Sequence, residues 1–99
     1  MKVIYKFPLK FGYVNDRQKI LMPKNPRILK VDEQDEVLTL WALVDTDNDD
    51  EYIKVEIIPT GTELPELGIN EIRHHLDTVV MSCGLVWHVF QLLKVSPKV

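Results

Sequence analysis

The stretch "VLTLWALV", Val37 to Val44, decides the fold class of this chain. It contains no glycine or proline, and its valines, threonine and tryptophan favour strands. Both alternating faces are apolar, because Thr39 is the only polar side chain among the eight. Such a strand is typical of a sheet that is covered on both sides. We therefore predict a β protein in which something covers each face of this strand.

The segments that follow also predict strands. "EYIKVEII", Glu51 to Ile58, alternates strictly, which predicts one solvated face, one buried face and a hairpin through the acidic residues before it. "LVWHVFQLL", Leu85 to Leu93, is again apolar on both faces. Residues 71–81, "EIRHHLDTVVM", leave two alternatives open. Asn70 is a candidate cap for a helix reaching Leu76, whereas the Thr-Val-Val run favours strand in at least the second half.

The N-terminal third predicts further strands. "MKVIYKFPLKFGYV", residues 1–14, reads as a strand in which Pro8 marks an edge or a bulge. Residues 18–37 predict two short strands around a kink at Pro23 to Pro26. No segment keeps a helical period over ten residues. We predict an all-β, mainly antiparallel fold, a small sandwich or partly open barrel with at most one short helix, in one domain over residues 1–99 with a frayed tail from about residue 94.

Composition excludes several classes of protein. With 45% hydrophobic and 27% charged residues the 99-residue chain is globular rather than disordered, and its net charge of −3 gives no strong nucleic-acid signal. Cys83 is the only cysteine, which excludes an intrachain disulfide and fits a reducing compartment. Lysines interrupt the apolar N-terminus, against a signal peptide, and no apolar run approaches the roughly 20 residues of a membrane helix. These features predict a cytoplasmic protein.

One acidic stretch resembles a calcium loop. In "DTDNDDEYIKVE" the residues Asp45, Asp47, Asp49 and Glu56 occupy positions at which an EF-hand supplies ligands. Asp50, however, stands where the loop needs glycine, and strands rather than helices are predicted on both sides. We interpret the stretch as the acidic, solvated tip of a hairpin.

Two further constellations are candidates for chemistry. His75 and Asp77 share a face if their segment is extended, and His88 is a third zinc ligand if the neighbouring strand brings it close. Cys83 near His88 is a candidate thiol nucleophile. Neither has a repeated spacing, and glycine-rich phosphate loops and nucleophile elbows are missing from the sequence. We predict no enzymatic activity, no metal and no cofactor.

The apolar strands and the basic residues are candidates for binding. Because helices cannot cover the second faces of the two apolar strands, we expect a partner subunit to do so. The candidates for an oligomer interface or core are Trp41, Leu43, Trp87, His88 and Phe90. Basic residues crowd the N-terminal third, and the candidates to hold phosphates are Lys6, Lys10, Arg17, Lys24, Arg27, Arg73, His74 and His75.

Six short motifs together resemble a known family. They are "YKFPL", "LMP", "RILKV", "LWALVD", "IIPTGTELP" and "GLVWHVF", spread over nearly the whole chain. In this order they are similar to a family of small proteins of unknown function encoded by bacteriophages and prophage-bearing bacteria. The acidic "TDNDDE" departs from the family pattern. The resemblance implies a β-rich fold and a phage setting, and it supplies no catalytic residues.

The leading functional hypothesis is a non-enzymatic phage accessory protein that binds a partner and forms a homo-oligomer in the host-cell cytoplasm. It counteracts host defence in one of two ways, by binding a host or defence protein or by sequestering a nucleotide-like signal. The first alternative is a virion or assembly component. A small metal-dependent enzyme built on His75, Asp77 and His88 is the less favoured one.

Overall fold

The computed structural model describes residues 1–10 and 16–96, and over these ranges it contains seven strands and no helix. The strands are β1 (Lys2–Pro8), β2 (Asp16–Pro23), β3 (Arg27–Gln34), β4 (Val37–Asp45), β5 (Asp50–Pro59), β6 (Glu71–Val80) and β7 (Val86–Lys94). The all-β prediction is confirmed, including the kink after Pro23. Within the described ranges, no helix is long and apolar enough to cross a membrane.

The strands form two antiparallel sheets that pack as a sandwich. The three-stranded sheet has the order β1-β4-β3, and the four-stranded sheet has the order β2-β5-β7-β6. Their inner faces supply one buried apolar cluster, which includes Leu38, Leu40, Ala42 and Val44 of β4, Ile53, Val55 and Ile57 of β5, and Trp87 and Val89 of β7. The two sheets do not close into a barrel. Alternation in β5 therefore agrees with the buried side of its sheet, whereas β4 is apolar on both faces and its buried side is set by packing.

The predicted hairpin between β4 and β5 is wrong. β4 pairs with β1 and β3, whereas β5 pairs with β2 and β7, so residues 46–49 carry the chain from one sheet to the other. A hairpin and a change of sheet both need a polar turn between two strands with one buried face. The local sequence cannot distinguish them, since only the distant pairing partners differ.

Strand β6 is extended throughout, so the helix alternative is excluded. A bulge at Leu76 interrupts its pairing with β7 between His75 and Asp77. The register therefore places His75 beside Phe90 on the outer face and Asp77 beside Val89 on the inner face. The expectation that His75 and Asp77 share a face is wrong, because the extra residue shifts the alternation by one.

The predicted chain ends are partly tested. Pro8 ends β1, which lies at the edge of its sheet as predicted. Residues 11–14 of the predicted first strand lie outside the described residues, as do residues 97–99 of the predicted tail. β7 reaches Lys94, and the Val95 N–H donates to the Asn70 carbonyl at 2.6 Å. Strand β7 thus ends at the residue from which the tail is predicted to fray.

The connection from β5 to β6 has to cross the four-stranded sheet. Both strands run antiparallel to β7, which lies between them, so the end of β5 and the start of β6 are at opposite ends of the sheet. Residues 60–70, here named the crossover segment, span this distance. Their path decides which sheet face remains uncovered.

The core position of Leu40 can be tested by Leu40→Ala. Its side chain is fully buried on β4, so its loss should lower the free energy of unfolding by about 2–5 kcal/mol. The matched control is Leu21→Ala, because Leu21 is 50% exposed and should change stability by less than about 1 kcal/mol. Urea denaturation of both variants measures the difference. Equal losses would contradict the packing described above.

Candidate functional site

The outer face of the three-stranded sheet, here named the open face, has Trp41 and Leu43 of β4 at its centre. The register aligns Lys6, Trp41 and Lys30 in one row and Ile4, Leu43 and Arg27 in the next. Directly opposed side chains on adjacent strands lie about 4.5–5.5 Å apart at Cβ. An indole is therefore set between two lysine side chains on a sheet surface.

The open face exposes much apolar surface. Ile4 is 60% exposed, Leu29 45% and Val37 42%, whereas Trp41 and Leu43 are half-buried among their neighbours. A shallow depression of about 400 Å³ beside Trp41 is lined in part by Ile4, Leu29 and Lys30. Its volume is in the range of small-molecule sites, although it is a surface depression rather than an enclosed cavity.

Cations and carboxylates both border this apolar centre, since Asp32 and Glu33 line the depression together with Lys30. In the part of the chain that the structure describes, no carboxylate lies within ion-pair distance of Lys2, Lys6 or Arg27. The Lys6 ammonium donates to the Gln34 amide oxygen at 2.9 Å, and the Lys30 ammonium lies 3.7 Å from Asp32. The open face thus carries exposed positive charge on a protein whose net charge is negative.

The outer face of the four-stranded sheet is organised around a buried carboxylate, Glu56 of β5. Its side chain is fully buried and receives Arg17 Nε of β2 at 2.8 Å and Arg73 Nε of β6 at 2.5 Å. Arg73 Nη2 adds a third contact at 3.4 Å. The two guanidinium groups pair the carboxylate and satisfy its oxygens with hydrogen bonds, as a buried charge requires.

The same arginines hold the crossover segment over this face. Arg17 Nη2 donates to the Glu66 carbonyl at 2.9 Å, and Arg73 Nη2 donates to the Pro65 carbonyl. Beneath the segment, Ile58 is buried although it lies on the face of β5 that the alternation predicts to be solvated. The face of β5 that was expected to be solvated is therefore buried towards the C-terminal end of the strand, because the crossover segment covers it.

The family of the chain follows from a match over nearly its whole length. A model described as a domain of unknown function, DUF7352, matches residues 1–98. The chain belongs to the DUF7352 family. No curated protein matches the chain, and neither does any solved structure. The predicted membership of a family of unknown function is confirmed, whereas the phage setting stays a prediction.

The candidate phosphate ligands of this DUF7352 domain do not form a single site. Only Lys6 and Arg27 lie on the open face, while Arg17 and Arg73 are bound to Glu56. The remaining candidates, Lys10, Lys24, His74 and His75, are exposed elsewhere, and Lys10 and Lys24 follow the ends of β1 and β2. The sequence offered no signal for this division, because it depends on which sheet each strand joins.

The candidate interface residues are similarly divided. Trp41 and Leu43 lie on the open face, and Trp87 is in the core. His88 and Phe90 lie on the outer face of the four-stranded sheet, where Phe90 makes an edge contact with His75 at 5.4 Å between ring centroids. The interface role of Trp41, Leu43, His88 and Phe90 stays a prediction.

The histidines of β6 and β7 join a chain of hydroxyl contacts. Thr78 Oγ1 lies 2.9 Å from His75 Nε2 and 3.0 Å from His88 Nδ1, and His88 Nε2 lies 2.8 Å from Thr60 Oγ1. Both ring nitrogens of His88 are therefore engaged by threonines, and neither orients the exposed Cys83 thiol. Among the described residues, no group of three histidines, cysteines or carboxylates is placed to hold a metal.

The calcium-like acids bind the chain's own ammonium group. The Met1 nitrogen lies 3.0 Å from Asp45 Oδ1 and 2.7 Å from Asp47 Oδ2. Hydrogen bonds from Asp47 and Asp45 raise the pKa of this amine, and the Asp47 backbone N–H followed by the amine lowers the pKa of Asp45. Asp45 and Asp47 thus have a structural partner that the sequence pattern did not predict.

Glu56→Gln tests the buried ion cluster. The substitution keeps the size of the side chain but leaves two arginines without their shared carboxylate, so we expect a loss of about 3–5 kcal/mol in unfolding free energy. Glu51→Gln is the control, since Glu51 is exposed on the same strand and its change should stay within about 0.5 kcal/mol. The cluster assignment fails if Glu56→Gln denatures at the same urea concentration as Glu51→Gln.

The carboxylate of Glu71, directly after the crossover segment, should make a pH-dependent contribution to the free energy of unfolding. The Gly68 N–H at 3.0 Å, and next the Lys54 ammonium at 3.0 Å, lower its pKa below the ordinary value of 4.5. Because the folded state favours the ionised form, its stabilisation is complete above pH 4.5 and is lost as the pH falls through the lowered pKa. The stability advantage of wild type over Glu71→Gln should shrink accordingly in urea denaturation at decreasing pH. An advantage that grows on acidification would contradict this.

Proposed function

We propose that this DUF7352 domain is a non-enzymatic binding protein that uses the open face to hold a nucleotide-like anion. The observation that carries the proposal is the row formed by Lys6, Trp41 and Lys30 on an exposed sheet face. Stacking of a base on an aromatic side chain contributes about 1–3 kcal/mol. Ammonium and guanidinium groups beside it supply charge-assisted hydrogen bonds to phosphate oxygens.

Two cations without a carboxylate partner in the described part of the chain, Lys6 and Arg27, support a nucleotide-like anion as the ligand. Arg27 pairs in register with Leu43 one row from Trp41, so a ring placed on Trp41 has Lys6 and Arg27 on different sides to receive phosphates. Neither side chain has a carboxylate partner among the described residues. The affinity should therefore fall with rising salt, as expected for exposed charge interactions.

The biological setting belongs to the same proposal. The motifs "LWALVD" and "GLVWHVF" support a phage or prophage protein that acts in the host-cell cytoplasm, where sequestering a nucleotide-like signal would counteract host defence. Binding of an acidic host or defence protein by the open face is the competing version. A virion or assembly component would use the apolar residues of this face, but it gives no reason for the free cations around them.

Fluorescence titration tests ligand binding directly. Trp41 is half-buried on the open face and Trp87 lies in the core, so a stacked ring should quench Trp41 emission. We expect a cyclic dinucleotide, ATP or UDP-glucose to quench this emission and raise Tm, and Trp41→Phe to abolish the quench. Lys6→Ala and Arg27→Ala should each raise Kd at least about tenfold, since a hydrogen bond to a charged group contributes about 1.5–3 kcal/mol.

The matched control is Lys19→Ala, because Lys19 is exposed on β2 of the other sheet and should leave Kd unchanged. Quenching that survives both Lys6→Ala and Arg27→Ala would place the ligand elsewhere. If none of the three nucleotides changes fluorescence or Tm, the nucleotide version is rejected.

A further inference from the structure

The crossover segment presents a second exposed apolar surface, on the opposite side of the sandwich. Leu64 is 51% exposed, Leu67 37% and Ile69 86%. With Glu66 these residues are here named the crossover ridge. The ridge lies over the outer face of the four-stranded sheet, whereas the open face is the outer face of the three-stranded sheet.

The backbone of the ridge is fixed from beneath. Arg73 and Arg17 hold the carbonyls of Pro65 and Glu66, and the Gly68 N–H donates to Glu71 at 3.0 Å. Further along, the carbonyls of residues 69 and 70 accept from Lys94 Nζ and the Val95 N–H. A segment whose shape is already set loses little conformational freedom on binding, which favours its use as an interaction surface.

The ridge and the open face have opposite charge. Residues 60–70 include two glutamates and no lysine, arginine or histidine. Glu66 is exposed between Leu64 and Leu67. The open face combines exposed Ile4 and Leu29 with Lys6 and Arg27, for which no carboxylate lies within ion-pair distance among the described residues. Both surfaces thus have exposed apolar residues, and the negative charge of the ridge is complementary to the positive charge of the open face.

We propose that the crossover ridge of one copy docks on the open face of a second copy, with Glu66 facing the cations around Trp41. This rests on the proposed function in one respect, since it assigns a second occupant to the same surface. Pairing two open faces with each other would instead bring like charges together, which is costly. The charges therefore favour ridge-to-face contact.

The two surfaces lie on opposite outer faces, so a docked pair still has one free ridge and one free open face, on different copies. The contact is heterologous, and repetition gives a closed ring or an open filament rather than an isologous dimer. Because the ridge and a nucleotide-like anion use the same cations, they compete. Ligand binding should therefore shift the population towards smaller assemblies.

Two charge reversals and their mixture test the docking. Sedimentation velocity of the wild type should show association that increases with concentration. Glu66→Lys gives a basic ridge with a normal face, and Lys6→Glu gives an acidic patch on the face with a normal ridge. Each variant alone should associate at least about tenfold more weakly, because like charges then meet. An equimolar mixture should associate again, since both kinds of contact in it pair opposite charges.

The matched control is Glu51→Lys, an exposed glutamate outside the ridge, which should associate as the wild type does. A monomeric wild type, an unaffected Glu66→Lys variant, or a mixture that stays dissociated would each overturn the proposal. Restoration by mixing also shows that both variants are folded.

Failure of this inference is separable from failure of the proposed function. Glu66→Lys leaves the open face unaltered, so nucleotide titration of this variant measures ligand binding without subunit docking. Quenching of Trp41 in a variant that never assembles would support the proposed function alone. Ridge-dependent assembly without any nucleotide-induced quenching would support the docking alone.

Discussion

The architecture outside the core depends on one fully buried carboxylate. Glu56 needs compensation wherever it is removed from water, and Arg17 and Arg73 supply it from the strands on two sides of the sheet. A guanidinium has more donors than one carboxylate can use. The remaining N–H groups bind the carbonyls of Pro65 and Glu66, so neutralising one buried charge also fixes the path of the crossover segment.

This fixed path makes the two outer faces of the sandwich different. The four-stranded sheet is covered by its own chain, which buries Ile58 beside Glu56 and leaves leucines of the crossover segment facing outwards. The three-stranded sheet receives no such cover from the described residues, so Trp41 stays half-buried among free cations. The candidate ligand surface and the candidate docking ridge are both consequences of where the crossover segment lies.

The acidic residues explain how a protein of negative net charge presents a cationic face. Asp77 accepts the Val31 N–H at 3.1 Å, which joins the edges of the two sheets, and Glu33 receives the N–H and hydroxyl of Ser82 at 2.8 and 2.7 Å. These carboxylates are committed to structural hydrogen bonds within the chain, as is Glu56. The charge that the open face presents to a partner therefore differs in sign from the net charge of −3.

The sequence by itself determined the strand content, because alternation and β-branched residues act within a few positions, as in Val37 to Val44. It also predicted cover on both faces of the two-sided strands, which the described residues do not supply for the outer face of β4. Only the tertiary structure decided that β4 and β5 join different sheets, that a bulge at Leu76 separates His75 from Asp77, and that Glu56 is buried. Ile58 on the otherwise polar face of β5 was the one local sign of that burial. Contacts between residues far apart in the chain decide which sheet a strand joins, its register and which segment covers it. The sequence pattern of one strand is compatible with several such partners.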